Sequence, residues 1–461
     1  MTDDPSKTRD VPCREGIVAQ MAAYVTGARQ KPAPEAARQA AFRCILDLLA
    51  ATAAGLDEPG SIAVRTMALT VMGSGAVPLW FAGKTGSVIG AAWANSAAAS
   101  ALDLDDGHRM ARGHPGAAVI PAAFAVAHET GSSLEDMLSA IVIGYEIGVT
   151  IAAARTSYGN SGTWAAYAVV ATAAALRRTD ADTLEHAFAI AGESAPNQLF
   201  ASAPTPRDPA PEGSDVKEGI PWSVVTGLVA LGLAEAGHTG PRNILESRRH
   251  YDFAEGLSLG TALHVRNTYF KLYACCRHVH APLDAFLDLI NRHGIKPEEI
   301  EAIEVETTSG ALRISNRVRP SNLTDVQYSI PYCLALAAIA GPQALLPLTR
   351  EALSQDGVSL LASRVRLVLN PEFDARFPAE TLSRVTIVCE GQSVVSDVTA
   401  PLGEASSPLS WSQLEEKFKA ATGGMATMAQ RLRILKAVND ARAGDIGNLI
   451  SCIEALALTV R

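Results

Sequence analysis

The residues best able to do chemistry crowd into one stretch, 95–121, NSAAASALDLDDGHRMARGHPGAAVIP. An Ala-rich run ends in Asp103, Asp105 and Asp106, and Gly107 breaks it. A loop of opposite character follows, with His108, Arg109, Arg112 and His114, before Pro115-Gly116 and a second small, apolar run from Ala117. Ionisable groups of both signs between two rigid apolar helices suit an active site, beside a helix N-terminus whose free N–H groups favour an anion. The plainer reading is a solvated helix end and a connector, although loops between rigid elements often carry function.

A second charged cluster, KLYACCRHVH, holds Lys271, Tyr273, Arg277, His278 and His280. It sits where the texture of the chain changes, and clefts often lie at such boundaries. Its Cys and His residues match no structural zinc spacing. The central acids fail as an EF-hand, because the third alternate ligand is missing and His114 stands where the closing Glu belongs. A magnesium site for diphosphate chemistry needs a second acidic cluster, and none is suitably placed. There is no P-loop, no dinucleotide fingerprint after a strand and no G-x-S-x-G. The expectation from spacing is therefore no metal. Lys217, taken alone, reads as a surface lysine. In QYSIPY (327–332) a helix begins with two tyrosines, one of them expected to be a buried aromatic.

The elements that must position these groups are mostly helical. At 461 residues the chain exceeds one core, so two domains are expected. Apolar residues recur at helical spacing through 34–54, 117–128, 133–154, 161–177, 180–191 and 214–237, with no convincing strand before about residue 265. Residues 1–11 read as a disordered tail and 197–213 as a Pro- and Ser-rich loop. Alternation then predicts strands over 300–308 and 364–369 and a hairpin over 382–398, with helices over 282–292, 326–340 and 350–354. From 410 the pattern is helical again. The fold class is mainly α: a large helical domain from both chain ends (1–268 and 405–461) with an inserted α+β lid (269–404).

Bulk properties narrow the partners. With 48 acidic against 39 basic side chains, nucleic-acid binding is excluded as a general role, and an anionic substrate needs a local basic pocket. Seven scattered cysteines without a C-x-x-C predict a reduced, cytoplasmic protein. The N-terminus lacks an apolar signal core, and the apolar stretches are interrupted by Gly, Pro or charge, so no membrane span is expected.

Taken together, LDLDDGH (102–108), GHPGAAVIPAA (113–123), IGYEIG (143–148), GHTGP (237–241), KLYACCRHVHAPLDA (271–285) and QYSIPY (327–332) resemble the MmgE/PrpD family over nearly the whole chain. The resemblance implies a homodimer whose active site lies between helical domain and lid. It also implies cofactor-free chemistry on a small anionic di- or tricarboxylate, as in 2-methylcitrate dehydratase, cis-aconitate decarboxylase and iminodisuccinate epimerase. The family's catalytic positions fall on Asp103, His114, Lys217, Lys271 and Tyr332; substrate contacts are expected from His108, Arg109, Tyr145, Trp164, Arg277 and His280. Two departures stand out. Gly107 replaces a usual Thr, and Gly162-Thr163-Trp164-Ala165 replaces a segment that usually brings a His. Losing that histidine favours an epimerase over a dehydratase or decarboxylase, because stereoinversion needs no acid on a leaving group. A non-catalytic polycarboxylate binder is the remaining alternative.

Overall fold

The computed structural model describes residues 16–196, 212–254, 257–444, 446–455 and 457–458. The expected N-terminal tail and most of the expected 197–213 loop lie outside them.

The chain is mainly α. Its first part runs through α1 (Ile17–Ala28), α2 (Glu35–Gly55), α3 (Pro59–Val71), α4 (Val88–Ser100), α5 (Gly116–Thr130), α6 (Leu134–Ala154), α7 (Gly162–Arg177), α8 (Ala181–Glu193) and α9 (Ile220–Glu235). Their starts are written in the sequence. Ser87, Ser133 and Asp180 each accept a backbone N–H of the first turn, and Ser133 forms a capping box with Asp136. Helix α7 lies at the centre, buried from Gly162 to Leu176 and packed on α5, α6, α8 and α9. Small residues permit the close approach: a Cβ on Gly144 would strike Thr172, and one on Gly227 would strike Val169 and the Ala166 carbonyl. Helix α6 is long and apolar enough to cross a membrane, but 89% of its most apolar window is packed inside the protein.

Two short antiparallel strand pairs interrupt this region, where the sequence pattern predicts none: β1 (Val77–Leu79) with β2 (Lys84–Gly86), and β3 (Gly107–His108) with β4 (Thr268–Tyr269). They are too short for alternation to register. The second pair matters, because Gly107 opposite Tyr269 joins the two charged clusters.

The next part contains α10 (Arg277–His293), β5 (Ile300–Thr307), α11 (Ser309–Leu312), α12 (Leu323–Gln327), α13 (Ile330–Ala340), α14 (Asp356–Ala362), β6 (Val365–Leu369), α15 (Pro371–Arg376), β7 (Arg384–Cys389) and β8 (Gln392–Val395). The sheet order is β6-β5-β7-β8, with β5 and β6 parallel and the other neighbours antiparallel. The hairpin turns at Glu390-Gly391, both at positive φ. Ile303, Val305, Val385 and Ile387 are buried, and α10 packs against β7 through this layer. Last come α16 (Trp411–Ala421), α17 (Met428–Arg442) and α18 (Ile446–Ala455); α16 and α17 pack back onto α2.

Three predicted helices have different limits. The helix expected over 326–340 is broken into α12 and α13. The one expected over 214–237 begins only at Ile220, since Glu218 and Gly219 adopt positive φ. The one expected over 350–354 is a single 3-10 turn, Arg350–Ala352.

Candidate active site

Asp103 is the hub. It lies just past α4 at φ +53, a left-handed conformation that Asp tolerates better than most residues. Its carboxylate is 1% exposed and meets three cationic groups. Lys271 donates to Oδ1 at 2.7 Å and to the Asp103 carbonyl at 2.9 Å. Lys217 stands 3.3 Å from Oδ2, and His114 Nε2 stands 3.3 Å from Oδ1. Burial alone would push the Asp103 carboxyl up. Lys217, Lys271 and His114 outweigh it and hold the group far below the carboxylate range. In return, although burial disfavours its charge, Asp103 keeps the Lys271 ammonium above its ordinary value.

His114 is oriented at both ends. Its Nδ1 lies 2.8 Å from the Asp106 carbonyl oxygen and 3.3 Å from Asp105 Oδ2. Burial and Lys271 oppose its charge, but Asp105 and Asp103 prevail and raise the imidazolium to about 9. It is therefore protonated at neutral pH. Asp106 points elsewhere: Oδ1 accepts the Gly116 N–H at the start of α5, and Oδ2 accepts the Tyr145 hydroxyl at 2.6 Å. Burial drives its carboxyl up to about 7. Asp106 and Tyr145 fix the loop to the helices behind it.

A hydrogen-bonded chain leads away from Lys217. Its Nζ donates to the Tyr328 hydroxyl at 2.8 Å, which donates to Glu218 Oε1 at 3.3 Å. The other Glu218 oxygen accepts Ser161 Oγ at 2.8 Å, and Ser161 Oγ accepts the His114 backbone N–H at 3.0 Å. The break between α12 and α13 turns Tyr328 toward the lysine, while Ser329 caps α13. Desolvation, with Asp103 and Glu218 nearby, keeps the Tyr328 phenol well above its ordinary range.

A second phenol stands beside Lys271. Tyr269 is buried, and a side chain on Gly107 would run into its hydroxyl end. The Arg277 guanidinium lies 4.4 Å from the Tyr269 ring centroid and that of Arg109 5.2 Å from it. Both arginines pair with Glu404. Burial raises the phenol to about 12 against the pull of Lys271, Arg109 and Arg277.

The chain matches the MmgE/PrpD N-terminal domain over residues 19–264 and the MmgE/PrpD C-terminal domain over residues 273–441. It belongs to the MmgE/PrpD family. Among curated proteins it is similar to a cis-aconitate decarboxylase of Aspergillus terreus strain NIH 2624, 26% identical, with 91% of this chain and 92% of the relative covered. A second cis-aconitate decarboxylase of Aspergillus terreus is 25% identical over the same shares.

Of the MmgE/PrpD positions carried over from sequence, Asp103, His114, Lys217 and Lys271 converge. Tyr332 does not join them: its hydroxyl donates to the Ala352 carbonyl at 2.6 Å inside the α13 core. Tyr328, one helical turn earlier, takes the place beside Lys217. Among the expected substrate contacts, Arg109 and Arg277 are engaged with Glu404, and Tyr145 with Asp106. Trp164 is fully buried against Gly113. His280 lies 3.3 Å from the Cys275 carbonyl oxygen. His108 packs edge-on to His264 at 5.3 Å, and burial lowers its imidazole to about 3. Asp103, Asp105 and His114 offer ligand atoms within 4.8 Å of one another, a spacing a metal ion accepts. The two ammonium groups on Asp103 already supply the positive charge that an ion would bring.

Sequence reasoning missed Glu218, Tyr269 and Tyr328. The first two carried a signal in being near neighbours of Lys217 and Lys271. Tyr328 was visible as one of two tyrosines, but a continuous helix would place Tyr332 equally well.

Proposed function

We propose that this protein moves a proton at a carbon α to a carboxylate in a small polycarboxylate, passing through an enediolate and needing no cofactor. The observation that carries the reading is the convergence on Asp103 of Lys217, itself hydrogen-bonded to Tyr328, at one carboxylate oxygen and of Lys271 and His114 at the other, with Tyr269 two residues before Lys271 in the chain. Cations fixed in a buried site stabilise charge as it develops on a substrate carboxylate. His114, protonated at neutral pH, adds a third.

A base is still required, and the Lys217 chain supplies one. As Tyr328 gives its proton to Glu218, it takes one from Lys217, which leaves a neutral amine beside the substrate. That amine removes the α-proton, the C–H electron pair moves into the enediolate, and Lys271 and His114 hold the resulting charge. Return of a proton from the Tyr269 side inverts the centre; the phenolate then takes a proton from solvent and Glu218 releases one to solvent, which restores the starting protonation of the site. Epimerisation is thus the reaction best served by donors reaching the hub through different oxygens, with iminodisuccinate as the substrate implied by resemblance.

A lyase reaction is the second reading, and two observations favour it. The relatives named above are cis-aconitate decarboxylases. In addition, Tyr269 fills the space where Gly107 lacks a side chain, and Tyr328 supplies an acid despite the absent histidine, so both departures are matched by phenols. The test is a side-by-side assay of the pure protein on iminodisuccinate isomers, cis-aconitate and 2-methylcitrate. Optical rotation, carbon dioxide and ultraviolet absorbance are followed together. Inversion without release of carbon dioxide or water supports the first reading; release without inversion transfers the assignment to the second.

A further inference from the structure

The two phenols of the site are held in different ways. Tyr328 is oriented through its hydroxyl, which bonds Lys217 and Glu218. The Tyr269 hydroxyl makes no hydrogen bond to any described residue, although the side chain is only 5% exposed. Its ring is held instead. The hydroxyl end rests over Gly107, and the guanidinium groups of Arg277 and Arg109 stand 4.4 Å and 5.2 Å from the ring centroid. A guanidinium at that range is attracted to the electron-rich face of a phenol ring.

Two guanidinium groups beside one ring repel each other. Both are mostly buried, so solvent screens the repulsion little. Glu404 removes the conflict. Its Oε1 accepts an N–H from each arginine, and its Oε2 accepts Arg109 Nε at 3.1 Å. Burial raises the Glu404 carboxyl, but the two cations outweigh it and hold the group below its ordinary value, so it is charged at neutral pH. The Glu404 backbone is fixed beside the same strand. The Gly403 carbonyl accepts the Phe270 N–H at 3.0 Å, and a Cβ on Gly403 would lie 2.5 Å from the Phe270 carbonyl oxygen. The Leu402 carbonyl accepts Arg277 Nη2 at 3.0 Å.

We infer that Glu404 is a positioning residue for Tyr269: by pairing with Arg109 and Arg277 it keeps both cations on the phenol ring and so aims a free hydroxyl into the site. This rests on the assignment of proton return to Tyr269 and adds the residue that makes it possible. Without the Glu404 charge the guanidinium groups separate, the ring loses part of its clamp, and the hydroxyl is no longer aimed. Arg109 and Arg277 thereby serve the phenol.

The test separates proton removal from proton return. Iminodisuccinate isomers are followed in deuterium oxide, and loss of the α-proton is compared with inversion of the centre. In Glu404→Gln, inversion should fall roughly 10-fold relative to exchange, since a small misplacement of a reacting group is costly. Glu404→Asp should recover most of the ratio. Arg109→Met, at a half-buried position, should lower it roughly 3-fold and carries the test if Glu404→Gln does not fold. In a Tyr269→Phe background, Glu404→Gln should change the ratio by less than about 2-fold, because nothing is left to position. Equal loss of exchange and inversion, or an undiminished effect in the Tyr269→Phe background, would overturn the inference. A second measurement needs no turnover. In the full chain labelled with 3-fluorotyrosine, fluorine NMR reports the Tyr269 ring, assigned by the signal that Tyr269→Phe removes. A clamped ring gives two resonances, one for each side that carries the fluorine; a flipping ring gives one. The wild type should show two and Glu404→Gln one. If the wild type exchanges no α-proton, the catalytic reading falls and the ring alone decides. One averaged resonance in Glu404→Gln against two in the wild type then sustains the clamp, and the same pattern in both proteins overturns it.

Discussion

Two buried lysine–aspartate pairs hold the same acidic loop, and only one of them sits in a site. At the front, Lys271 reaches Asp103 and also its backbone carbonyl. At the back, Lys417 of α16 pairs with Asp47 of α2 and donates to the Leu104 carbonyl at 2.8 Å. The residue types, burial and backbone contact match. The numbers of partners differ. Asp103 answers to three cations and is driven far down. Asp47 answers chiefly to one, and burial prevails over Lys417 to leave its carboxyl at about 6. A buried ion pair is thus not a functional sign in itself. The surplus of donors over the single carboxylate suits the front pair to an additional negative charge, whereas the back pair matches one lysine to one carboxylate and ties the C-terminal helices to the loop.

Breaking the two pairs should have opposite signatures. Lys271→Met should lower turnover roughly 100- to 1,000-fold, the scale of losing a donor aimed at a developing oxyanion. Lys417→Met should leave the Michaelis parameters of the folded enzyme within about 3-fold. It should instead cost about 3–5 kcal/mol of stability, because a buried charge loses its partner. Adding Asp47→Asn should recover part of that loss. Denaturant melts beside steady-state kinetics on the two lysine variants check the contrast, and equal kinetic damage from both would dissolve it.

The next effect is pH dependence. With His114 raised to about 9, its charge is present at neutral pH and lost above that value, so kcat/KM should fall on an alkaline limb near pH 9. The His114 contribution to stability has the same sign. A raised cationic group stabilises fully below its unfolded value of about 6.5, and the benefit disappears as pH rises through about 9. A pH series of activity and melting temperature tests both, and His114→Gln should remove the limb along with roughly 100-fold of the rate.

Smaller changes sharpen the description of the site itself. Tyr328→Phe cuts the path from Lys217 to Glu218 and should slow proton removal roughly 10- to 100-fold. Glu218→Gln should cost less. Tyr269→Phe should have the smallest effect on proton removal and act on proton return, measured as the stereochemical purity of the product.

The front pair was largely legible in the sequence, and the back pair was not. Asp103, His114 and Lys271 lie in compact runs of ionisable residues that mark a site, and the family resemblance implies its carboxylate chemistry. Lys417 and Asp47 are single charges within otherwise ordinary amphipathic helices, and only the packing of α16 on α2 brings them together. The tyrosines show a different limit. Apolar spacing over 326–340 reads as one helix, and nothing in that periodicity signals the break after Gln327 that turns Tyr328 into the site. Similarly, the positive φ of Glu218 lies beyond what side-chain patterning can express. The sheet was legible because alternation in 300–307 and 384–395 is long enough to count. The β3–β4 pair was not, being two residues long on each side.

The most direct test of proton transfer at this hub is α-proton exchange in deuterium oxide, followed by proton NMR with iminodisuccinate, cis-aconitate and 2-methylcitrate in turn. The wild type should wash deuterium into one α-position of at least one of these acids, and Lys217→Met should abolish that exchange while the acid still binds. If the acids bind and no α-proton exchanges with the wild type, the cluster is a polycarboxylate-binding site and the catalytic account is wrong.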